Sequence, residues 1–168
     1  MQQFEKILVP VDFAAHSTEA VRRAADIALH YSAALTLVYV YEPLDYALAA
    51  SAMPGAVPEG YPTFTAEQMR DVTSVYEERL RETEREVETL GVDRVNSMLL
   101  QGPAALEIVD FARENGFDLI VMGTHGRTGL EHLLMGSVAE RVLRTAHCPV
   151  LTVKLPPQAS KGSAGKAA

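Results

Sequence analysis

The chain has 168 residues, 48% of them hydrophobic and 22% charged, with a formal net charge of −7. That length is enough for one domain with a substantial core, and the acidic balance argues against nucleic acid or anionic membrane as partners. No apolar run approaches the roughly 18 residues of a membrane helix, the N-terminus lacks the charged and apolar regions of a signal peptide, and the single Cys148 excludes an internal disulfide; a cytoplasmic location without membrane insertion is expected.

The first apolar run, Lys6–Val11, is short, rich in β-branched residues and continuous, which reads as a strand buried on both faces. Asp12 ends it. An Ala-rich helix follows over Ser17–Tyr31, with Ser17 a candidate N-cap. Leu35–Tyr41 is the second strand. Glu42–Phe64 carries Pro43, Pro54, Gly55, Pro58, Gly60 and Pro62, and is too long and broken for a simple connection. Loops of that kind are mobile or meet partners.

A long helix is predicted over Thr65–Leu90, opened by the capping box Thr65–Gln68 and stopped by Gly91. Its pairs Glu77–Arg81 and Glu82–Arg85 mark a solvated face. Arg94–Leu100 is the third strand. The third helix runs from Pro103, where a first turn tolerates proline, to Asn115 and Gly116. Asp118–Met122 is the fourth strand. Ser137–Ala146 is the last helix and Pro149–Val153 the fifth strand. The tail Leu155–Ala168, rich in Pro, Ser, Gly, Ala and Lys, is expected to be disordered. The domain therefore spans 1–154. Strand and helix alternate, which means right-handed βαβ units and a doubly wound parallel sheet with helices on both faces.

Between the fourth strand and the last helix lies the most telling stretch, Gly123–Ser137, with glycines at 123, 126, 129 and 136. Glycines there let the backbone turn tightly and bring N–H groups up to a ligand. The helix start adds unpaired donors and the positive end of a dipole, the parts of a phosphate cradle. Ligands of doubly wound sheets bind beyond the carboxyl ends of the strands, where strand order switches. With the first and fourth strands central, Asp12 emerges beside this loop. Its carboxylate can take ribose hydroxyls, or it can cap the first helix. Arg127 offers a planar cation. Ser137 begins a second capping box with Glu140, a role compatible with donating to phosphate.

Other nucleotide motifs are absent: there is no Gly-x-x-x-x-Gly-Lys-Ser/Thr and no Gly-x-Gly-x-x-Gly. His16, His30, His125, His132 and His147 lack zinc-site spacing. His125 reads as a loop contact before a base, and Cys148 as a small buried hydrophobe.

These residues resemble the universal stress protein family, specifically its ATP-binding branch. The branch pattern Gly-x2-Gly-x9-Gly-Ser/Thr is met by Gly123, Gly126, Gly136 and Ser137. Lys6–Asp12, Met122–Gly126 and Cys148–Val153 also resemble the family, and the likeness covers residues 4 to 154. It implies an adenine nucleotide alpha hydrolase-like fold, five parallel strands in the order 3-2-1-4-5, and a homodimer through the edge strand 149–153. Carried over, Pro10, Val11 and Asp12 line an adenosine pocket, and the Val40 backbone meets the adenine edge. Met122 and Gly123 lie near the ribose. Thr124, His125, Gly126 and Arg127 surround the phosphates, which Gly136, Ser137 and Val138 close. The implied ligand is ATP, with ADP or AMP as alternatives. Mg²⁺ or Mn²⁺ is held mainly by the phosphates and not by a protein metal site.

The leading reading is a stress-response regulatory module that binds ATP and acts through its dimer and an unidentified protein client. No catalytic residue is assigned. The alternatives are a slow ATPase using Arg127 or His125, an AMP sensor, and an interaction module of the same fold with an empty site.

Overall fold

The computed structural model describes residues 4–42, 66–124 and 135–155. In chain order these form β1 (Lys6–Pro10), α1 (Ala15–Tyr31), β2 (Ala34–Tyr41), α2 (Ala66–Thr89), β3 (Val95–Gln101), α3 (Ala104–Glu114), β4 (Leu119–Gly123), α4 (Ser137–Thr145) and β5 (Val150–Val153). Apart from Glu42 and Leu155, the expected loop over 42–64 and the tail over 155–168 fall outside the described residues, as does Thr65 of the first capping box.

The strands form one five-stranded sheet in the order β3-β2-β1-β4-β5, every pair parallel. Successive strand residues face opposite sides, so each continuous apolar run feeds two cores. On one side Ile7, Val9, Leu35, Leu37 and Val121 pack with Ala20 and Ala24 of α1 and Leu80 and Val87 of α2. On the other, Leu8, Val38, Ile120 and Met122 meet Ile108 and Ala112 of α3 and Ala139 and Val142 of α4. This is the expected doubly wound arrangement. The edges depart from the expectation of strands buried on both faces. Met98 of β3 is 47% exposed and Leu151 of β5 is 40% exposed, and among the described residues each of these edge strands has a strand neighbour on one side only.

Two helix starts also differ from prediction. The α1 N-cap is Ala14, so Ser17 lies inside the first turn. Pro103 is the N-cap of α3 and not its first helical residue. Gly91 and Gly116 follow α2 and α3 as predicted, Gly116 at a φ of 66 that glycine adopts without a Cβ clash.

The central seam positions the site. β1 and β4 pair only through Ile7↔Leu119 and Leu8↔Ile120. Below that pair, Asp118 secures the strands: its N–H donates to the Lys6 carbonyl at 3.0 Å, and its carboxylate accepts the Glu5 N–H at 2.8 Å and the Lys6 N–H at 3.2 Å. Above it they part. β1 continues along β2 to Pro10↔Val38, while β4 continues along β5 to Gly123↔Val153.

Candidate functional site

Where β1 and β4 separate, the sheet opens into a cavity of about 400 Å³, inside the range of about 300–1,000 Å³ usual for small-molecule sites. Every predicted site residue that is described lines it: Pro10, Val11 and Asp12 at and just past the end of β1, Val40 from β2, Met122, Gly123 and Thr124 at and just past the end of β4, and Gly136, Ser137 and Val138 at the mouth of α4. His125, Gly126 and Arg127 lie outside the described residues. The cavity also uses residues that the sequence reading did not assign, among them Val38, Ala104, Ile108 and Ala139. Ala104 and Ile108 form the first turns of α3, which begins just past the end of β3. The predicted start of that helix beside a strand end was the signal for them.

Backbone donors were expected at the phosphate end in the glycine loop and at the helix start, and the two described N–H groups that bound the loop, those of Thr124 and Gly136, are occupied. The Thr124 N–H donates to the Val153 carbonyl at 3.0 Å, and the Gly136 N–H donates to the Thr124 carbonyl at 2.7 Å. The mouth of α4 differs. Its first helical bond runs from the Glu140 N–H to the Gly136 carbonyl at 2.9 Å. The N–H groups of Ser137, Val138 and Ala139 precede that bond and find no acceptor among the described residues. All three residues line the cavity, and the positive end of the helix dipole adds to their pull on an anion.

The second capping box is not formed. Gly136 is the N-cap and Ser137 is already helical, so its hydroxyl is one residue too late to meet the Glu140 amide. Among the described residues no hydrogen bond engages that hydroxyl, and Glu140 pairs instead with Arg144. Gly123 has a packing reason of its own. A Cβ there would sit 2.8 Å from the His16 Cβ and 2.9 Å from its carbonyl carbon. Only a glycine lets the first turn of α1 lie this close to β4.

At the opposite wall, Asp12 serves two ends. Its Oδ1 accepts the Ala14 N–H at 3.0 Å, a local turn common for Asp; Ala14 is the N-cap and α1 has no side-chain cap, so Asp12 shapes the turn into the helix and does not cap it. Its own N–H donates to the Ser17 Oγ at 3.3 Å, and that buried hydroxyl donates to the Ala14 carbonyl at 3.0 Å. The carboxylate still lines the cavity, and two carboxylate oxygens offer about four acceptor sites. Val40 contributes its backbone. The Val38 carbonyl accepts the Val11 N–H at 2.8 Å, and alternate strand residues direct their amide groups to the same side. Val40 therefore presents its N–H and carbonyl past the end of β1, towards the cavity.

The turn after Asp12 is strained. Phe13 has a φ of 63, a left-handed conformation that is a true outlier for a bulky residue and costs about 1–3 kcal/mol. Its ring stacks on Tyr39 at 5.1 Å, Tyr39 stacks on Tyr76 at 4.3 Å, and the Arg79 guanidinium lies 4.2 Å from the Phe13 centroid. Cys148 lies apart from the cavity lining and is half-buried; burial first, and then the negative charge of Asp118, raise its pKa, so its thiolate is disfavoured.

Residues 3–154 match the Universal stress protein family. Universal stress protein MJ0531 of Methanocaldococcus jannaschii is 39% identical over 153 residues, which is 91% of this chain and 84% of that protein. The solved structure of MJ0577, from the same organism, is similar at a TM-score of 0.76 and 26% identity, over 92% of this chain and 99% of its own. A universal stress protein of Archaeoglobus fulgidus, solved in complex with dAMP, is similar in fold at a TM-score of 0.61 and 22% identity, over 91% of this chain and 100% of its own.

Proposed function

We propose a nucleotide-binding regulatory role on one premise: the chain belongs to the universal stress protein family. The cavity between β1 and β4 takes an adenine nucleotide, ATP or its ADP and AMP relatives. The observation that carries this reading is the set of three N–H groups at the mouth of α4, opening on the same cavity as the Asp12 carboxylate. An anion is favoured at one end and hydroxyl donors at the other. Val38, Ile108 and Met122 supply the apolar wall between them. The complex of the Archaeoglobus fulgidus protein with dAMP supports the same ligand class.

In this reading the adenine lies along the Val40 backbone, and the ribose sits beside Asp12, Met122 and Gly123. The phosphates meet Gly136, Ser137 and Val138, with Thr124, His125, Gly126 and Arg127 around them. In the same reading Mg²⁺ or Mn²⁺ would be carried mainly by the phosphates. The chain acts as a cytoplasmic homodimer through the edge strand 149–153 and passes the bound state to a protein client.

Calorimetric titration of the purified protein tests the ligand. Micromolar binding of an adenine nucleotide, roughly −8 kcal/mol, is expected, weakened about tenfold or more in Asp12→Ala by loss of a charged hydrogen bond. No heat of binding with ATP, ADP or AMP would overturn the reading.

A further inference from the structure

We infer that the stack Phe13–Tyr39–Tyr76, closed by Arg79, is a positioning device that sets Asp12 for the ribose and so governs recognition of the sugar hydroxyls. The inference rests on the nucleotide reading above and extends it to residues of α2. Phe13 follows Asp12 directly, and the peptide joining them fixes where the carboxylate emerges. That peptide is held by a φ of 63 at Phe13. A phenylalanine left to itself relaxes to negative φ, which would rotate the peptide and break the Asp12 bond to the Ala14 N–H.

What opposes the relaxation is the ring sandwich. Phe13 and Tyr39 are stacked with an interplanar angle of 23°, and Tyr39 and Tyr76 likewise at 23°. The Arg79 guanidinium closes on the Phe13 ring itself. Tyr76 and Arg79 are three apart on α2 and share one helix face. Of the stack, Tyr39 lines the cavity, while Phe13, Tyr76 and Arg79 do not. These three therefore act on a ligand through Asp12 or through Tyr39, and a loss confined to the nucleotide that carries sugar hydroxyls is the mark of the Asp12 route.

The test compares ATP with 2′,3′-dideoxyATP by calorimetry in the wild-type protein, Tyr76→Leu, Tyr76→Phe and Arg79→Met. Wild type is expected to prefer ATP. Tyr76→Leu keeps an apolar side chain and loses the ring, so ATP affinity should fall about tenfold while dideoxyATP affinity stays within about twofold. Arg79→Met, at an exposed side chain, should lower ATP affinity about two- to fivefold, the size of an exposed cation–π contact, again sparing the dideoxy analogue. Tyr76→Phe keeps the stack and should restore the wild-type preference.

An unchanged ATP preference in Tyr76→Leu and Arg79→Met overturns the inference, as does an equal loss for both nucleotides, which would mark a general packing role. Should Tyr76→Leu fail to fold, Arg79→Met decides alone. Wild type that binds both nucleotides equally also overturns it, yet leaves adenine-nucleotide binding standing. Wild type that binds neither overturns both.

Discussion

A methyl group at position 123 would meet the backbone of His16 at 2.9 and 3.0 Å, and this changes how a substitution there must be read. The spacing of glycines pointed to close approach by a ligand. The structure gives an equally sufficient cause in the first turn of α1. Gly123→Ala is expected to lose about 1–3 kcal/mol of stability, the usual cost of overpacking, measured by urea denaturation without nucleotide. An unchanged midpoint would mean that α1 gives way easily. Lost binding in that variant is then no proof of a phosphate contact. Ser137 teaches the converse. Its sequence matched a capping box, but Gly136 is the cap, and the hydroxyl is left to the cavity. Both cases share a source: the sequence names a small residue and its neighbours along the chain, while the group facing it across space is set by packing.

At the level of elements, apolar runs and their punctuation placed the five strands and four helices of the described residues, with boundaries off by one or two residues. Those offsets have local causes. α1 begins early because the turn through Asp12, Phe13 and Ala14 delivers the chain already aimed along the helix. The left-handed Phe13 was not legible, since nothing in its identity announces a positive φ and its stabilising rings come from β2 and α2. The exposure of the edges was not legible either, because β5 reads like a central strand until its place in the sheet is known. Among the described residues its outer side has no strand neighbour, which fits the proposed homodimer, since an unpaired edge invites another strand. Leu151→Lys, at a side chain 40% exposed, should convert dimers to monomers. Light scattering would show the halved mass, with nucleotide affinity within about twofold of wild type. A dimer that persists unchanged would place the interface elsewhere.

For the molecule as a whole, a ligand that seats between β1, β4 and α4 binds the folded state alone and should raise its stability. At a hundred times the Kd, the gain is about 2.7 kcal/mol, or roughly 5–10 °C in Tm for a chain of this size. Differential scanning calorimetry with and without ATP checks this, and an unmoved Tm at saturating ATP would contradict it. The strand order came from family resemblance and not from periodicity, and it is what located the crevice. Alternation alone gives strands and helices without saying which two are central. The Asp118 clasp at the foot of β1 and β4 has a wider consequence. The knot that fastens the two middle strands lies at one end and the crevice of the proposed site lies at the other, so a change at the mouth of α4, such as one at Ser137, leaves the fastening of those strands untouched.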